Sequence, residues 1–115
     1  MLSRSTLALA AALAAVPATT FADSNGNAGF VIAVTVHETS SDDYANHHGR
    51  ILIREGSEPG APQTEYRWGG TVCASRVLSA ANVALLVEAL RGRSDTQVIP
   101  RFKMGPAGTR CLTSF

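Results

Sequence analysis

The 115-residue sequence holds only two cysteines and a single lysine, Lys103, and its ten basic residues nearly cancel nine acidic ones. So few cysteines exclude a disulfide-dense scaffold, and 45% hydrophobic residues without a large charge excess exclude an extended disordered chain. The length excludes a TIM barrel or a complete dinucleotide-binding fold. Catalytic signatures are missing as well. There is no Gly-x-Ser-x-Gly elbow around Ser57 or any other serine, no His-Glu-x-x-His or His-x-x-x-His pair, and no glycine-rich phosphate loop. Cys-x-x-Cys spacing, internal repeats and low-complexity tracts are absent too.

What the sequence does contain begins with an address. Arg4 precedes an uncharged apolar run over residues 7–16, followed by Pro17 and the small or polar ending Thr20-Phe21-Ala22. A basic start, a short apolar centre and small residues before the cut describe a signal peptide over residues 1–22. Ten apolar residues are too few for a membrane span, which takes about 20, and no later stretch is long enough. The expected mature chain runs from Asp23 to Phe115, carries no formal net charge, and works in the periplasm or as a secreted protein.

Both cysteines survive that cut. In an oxidising compartment Cys73 and Cys111 are expected to form a structural disulfide. It closes a loop of about 39 residues, so the chain-entropy estimate is about 4 kcal/mol.

Residues 23–29 are polar and glycine-bearing, and read as a flexible lead-in to a single domain over residues 30–115. Residues 30–37 are β-branched and apolar on both faces, which suits a central strand. Residues 50–54 form a second strand. Residues 64–68 alternate, with Thr64, Tyr66 and Trp68 on one side and Glu65 and Arg67 on the other. Ser79 is a candidate N-cap for a helix over residues 80–91, where Val83, Leu86, Val87 and Leu90 form an apolar stripe. Residues 96–104, interrupted by Pro100, and residues 109–115 complete the pattern. The expected architecture is α+β: a small antiparallel sheet in the order β-β-β-α-β-β, one amphipathic helix packed on a face, and one disulfide.

Two constellations could carry function. His37, His47 and His48 lie near Asp42 and Asp43, and imidazoles of that kind can hold zinc or copper(II). Adjacent histidines seldom point at one ion, so a solvated loop explains the same residues. The second feature is charge asymmetry. Residues 23–66 hold seven acids against two arginines, and residues 67–115 hold seven basic residues against two acids. Arg67, Arg101, Lys103 and Arg110 are the candidate partner-binding residues of a basic face. Zero net charge and export argue against nucleic acid.

The leading expectation is therefore a small exported protein, with no assigned catalytic residue, that binds another protein or an anionic envelope component as an inhibitor or accessory factor would. A zinc- or copper-binding periplasmic protein and a small hydrolase are the alternatives.

Overall fold

The computed structural model describes residues 23–92 and 95–115; the expected signal peptide, residues 1–22, lies outside them. Among the described residues the elements run β1 (Ser24–Asn25), β2 (Phe30–Val36), β3 (Gly49–Arg54), β4 (Gln63–Trp68), α1 (Ala80–Gly92), β5 (Arg101–Met104) and β6 (Arg110–Ser114), with a 3-10 turn at Pro106–Gly108. The α+β class and the single packed helix agree with the sequence periodicities. The strands make one sheet in the order β1-β5-β6-β4-β3-β2.

Alternation in β3 and β4 sorts the residues onto two faces. Ile51 and Ile53 of β3 lie opposite Tyr66 and Thr64 of β4, and Val34 and Val31 of β2 extend the same apolar surface. Against it packs α1 through Leu86 and Ala89, both buried, with Val83 and Leu90 at the margins. Burying each large apolar side chain contributes about 1.5–3 kcal/mol, so this layer dominates stability. Tyr66 and Trp68 belong to it, at 1% and 2% exposure, rather than to an aromatic surface. The helix starts where the sequence indicates: the Asn82 amide donates to Ser79 Oγ at 3.2 Å. Arg91 lies in its last turn, at the negative end of the dipole.

Three features depart from the sequence expectation. Four of the five strand pairings are antiparallel, but β4 and β6 run parallel, with Arg67 opposite Cys111. The long connection through α1 delivers the chain to the far side, so β6 comes back between β5 and β4 in the direction of β4. The apolar strand β2 lies at an edge, not in the centre. A register shift between Val31 and Ala33 breaks its alternation, which is why it shows apolar residues on both faces. The lead-in, in turn, is paired: Ser24 and Asn25 lie beside β5, and Gly26 donates to the Pro100 carbonyl at 2.8 Å. Pro100 has no N–H to offer, but its carbonyl still accepts a partner.

Glycine is needed at two places on the path from core to disulfide. Gly69 and Gly70 have φ of +74° and +69°, which turns the chain sharply after Trp68. At Gly49 a Cβ would run into the ring of Trp68 and approach the Thr35 carbonyl to 2.6 Å. Small size there leaves room for the indole against β3.

Candidate functional site

The sheet face away from α1 carries the polar half of each alternation. Register places Thr35, Arg50, Arg67, Cys111 and Lys103 in one row across β2, β3, β4, β6 and β5. Arg50 and Arg67 are direct cross-strand partners, a like-charged pairing that ordinarily destabilises a sheet. Glu65, two residues before Arg67 on the same face, resolves the conflict. Its Oε2 accepts from Arg50 at 3.1 Å and its Oε1 from Arg67 at 2.8 Å. One carboxylate against two guanidiniums leaves the trio with a net positive charge. Their side chains are 48%, 35% and 31% exposed for Arg50, Glu65 and Arg67. Beside them a shallow hollow is lined by Ala33, Thr35, Leu52 and Glu65.

The four basic residues singled out in the sequence do not form one patch. Arg67 joins Arg50 on the open floor. Lys103 stands farther along the row, in a niche beside Ser75, Arg76 and Val77, where its Nζ lies 3.8 Å from Asp23 Oδ1. Arg101, two residues earlier on β5, is exposed beside Asn25. Arg110 lines a hollow with Glu65 and Arg67, but its guanidinium turns to the other face, over the Phe102 ring at 5.9 Å from the centroid. Sequence reasoning missed Arg50 and Glu65. The signal was present, because Arg50 alternates with Ile51 and Ile53, but the pairing with Arg67 depends on hairpin register.

The histidines divide as well. His37 Nε2 and His47 Nε2 are 3.3 Å apart, with ring planes at 80°. His48 stacks instead on Tyr44, centroids 4.2 Å apart and planes 12° apart. The backbone explains the split. His48 continues the ladder, donating to Trp68 O at 2.8 Å and accepting from the His37 amide at 2.9 Å. The preceding turn closes on Asp43, whose carbonyl accepts from both Asn46 and His47. His47 thus closes the turn while His48 enters the ladder, and only His47 meets His37.

Burial holds the His47 imidazole below its ordinary pKa, and the positive charges of Arg67 and Arg50 act in the same direction; Asp43 opposes them. His47 Nδ1 is buried without a hydrogen-bond partner. Among the described residues no three His, Cys, Asp or Glu side chains stand together as ready metal ligands. Nor, among them, is a histidine hydrogen-bonded to a serine or a carboxylate, the contact that nucleophilic catalysis would need.

Cys73 and Cys111 form the expected disulfide, with Cα atoms 5.5 Å apart and both residues 2% exposed. It ties the loop after β4 to β6, the strand between Arg67 and Lys103 in the cross-strand row. No helix of the described residues is long and apolar enough to cross a membrane. Comparison with known protein families, with characterised proteins and with solved structures finds no match for this chain.

Proposed function

We propose that the protein is a small exported binding protein that docks an acidic surface of another protein onto the helix-free face of its sheet, as an inhibitor or accessory factor would. The observation that carries this reading is the opposed Arg50–Arg67 pair with its single shared carboxylate. Two planar guanidiniums side by side on a flat sheet suit carboxylates better than a diffuse polyanion, because each fork can take a carboxylate in bidentate fashion. Leu52 and Ala33 beside them supply the apolar contact typical of protein interfaces. The disulfide limits the motion of the floor, which lowers the ordering cost of binding. Export rests on the signal-peptide pattern of residues 1–22 and on the disulfide.

The test is capture from an envelope extract by the folded, oxidised chain, run in parallel with Arg50→Gln/Arg67→Gln and with Arg91→Gln on the helix. The expected result is an acidic protein released by salt, retained by the Arg91 variant and reduced at least roughly tenfold by the double variant. Equal capture by the double variant overturns the reading. So does a preference of the intact chain for anionic lipid vesicles or acidic glycan over any protein.

A further inference from the structure

A different observation points to a second site. We infer that His37 and His47 form a docking site for a tetrahedral divalent transition-metal ion of the zinc type, ligated through their two Nε2 atoms. The spacing is the first reason. Nitrogens 3.3 Å apart, each about 2.0–2.1 Å from a zinc ion, subtend an angle of about 107° at the metal, close to tetrahedral. Copper(II) in a tetragonal site takes neighbouring nitrogens about 2.8 Å apart, so the pair is wide for it. An N–H donor also settles on an acceptor nearer 2.9–3.0 Å, so the contact is long for a simple hydrogen bond.

Placement is the second reason. His37 follows the last residue of β2, and its amide is tied to His48 O at 2.9 Å. The His47 amide is tied to Asp43 O at 3.2 Å. Both ligands are thus mounted on hydrogen-bonded backbone before any ion arrives. Asp43, four residues before His47 on the same turn, is exposed, and its charge is felt at the His47 ring. Asp43 acts through that charge rather than as a ready third ligand, and water fills the remaining positions. The guanidiniums of Arg67 and Arg50 oppose a cation at the His47 ring, and Asp43 offsets them only in part. His47 Nδ1 has no partner, and a missing second-shell acceptor typically lowers metal affinity by roughly 10–100-fold. A modest affinity is therefore expected.

The experiment titrates the folded, oxidised chain with cobalt(II), read by visible absorption, and with zinc, read by calorimetry. One equivalent should bind, with the intense absorption of four-coordinate cobalt. His37→Ala and His47→Ala should each weaken binding at least roughly tenfold, Asp43→Asn should weaken it less, and His48→Ala should leave it unchanged. To separate loss of a ligand from loss of the fold, nitrogen resonances of the unmodified chain give a second readout: zinc should move His37 and His47 Nε2 and spare His48. No saturable binding by about millimolar metal, or an equal response at His48, overturns the site and leaves a hydrogen-bonded pair only.

Discussion

The same strands build both faces of the sheet, yet the two faces obey different physics. On the helix side Val31, Ile51, Tyr66, Trp68 and Leu112 are almost completely buried. On the other side their immediate neighbours Thr35, Arg50, Glu65 and Arg67 keep substantial exposure and interact through charge. One residue of displacement along β4 separates Trp68, in the core, from Arg67, in the candidate site. Removal of apolar surface from water makes the first face stabilise the molecule. The second face, spared that task, can keep an arrangement that folding alone would not favour, two guanidiniums in register.

If that division holds, the largest loss of stability must come from the helix side. Trp68→Ala removes a ring that rests on Gly49 and packs within the core cluster, and should cost about 3–5 kcal/mol in urea denaturation. A loss below about 1 kcal/mol would mean that the layer under α1 is not the core. The disulfide comes next, because it anchors the open face rather than filling the core. Replacing Cys73 and Cys111 together by serine should cost about 2–4 kcal/mol. It should also raise amide exchange in the loop after β4 more than in β3.

How far the two faces were legible in the sequence follows from the range of the interactions that set them. Alternation within residues 50–54 and 64–68 is local, and so are the stripe of α1 and its Ser79 cap; all of these are visible along the chain. The position of β2 is not. A register shift gives it apolar residues on both sides, a pattern shared with a central strand, and only the completed sheet shows that nothing described pairs beyond it. The parallel meeting of β4 and β6 depends on where a connection of some thirty residues lands. Arg110 resembles Arg67 and Lys103 in sequence, but the turn at Pro106–Gly108 sets it on the Phe102 face. The site was thus half visible: its residue types could be read, its register could not.

A pH measurement tests the rim of the helix side. Glu55 accepts from Thr64 Oγ1 at 2.6 Å and from Asn27 Nδ2 at 2.9 Å, joining β4 to the lead-in. The Thr64 bond is the larger cause, with the Asn27 bond second, holding the Glu55 carboxyl below its ordinary pKa of 4.5. With the folded value depressed, the unfolded chain binds more protons in that range. The stabilising contribution is therefore fully present above about pH 4.5 and disappears as pH falls through the lower, folded value. Glu55→Gln should flatten this part of the stability–pH curve and leave the neutral region nearly unchanged. An unaltered acid limb would show that the bonds do not distinguish the folded state.

The smallest expected effect is the most informative about the open face. Arg50, Glu65 and Arg67 are exposed enough for solvent to screen them, so Arg50→Gln should change stability by no more than about 0–1 kcal/mol. Glu65→Gln should cost more than Arg50→Gln, although it deletes one charge just as the arginine change does. It removes the carboxylate both guanidiniums share and leaves like charges opposed across β3 and β4, a repulsion of about 0.2–1 kcal/mol. Adding Arg50→Gln to Glu65→Gln should then recover part of the loss, because one of the repelling charges is gone. A double-mutant cycle by urea denaturation at low and high salt measures that coupling, which should shrink as salt screens the pair. Strictly additive single changes, or a coupling indifferent to salt, would mean that the two arginines do not feel each other. The face would then hold independent surface charges, without the concentrated positive potential on which docking an acidic partner depends.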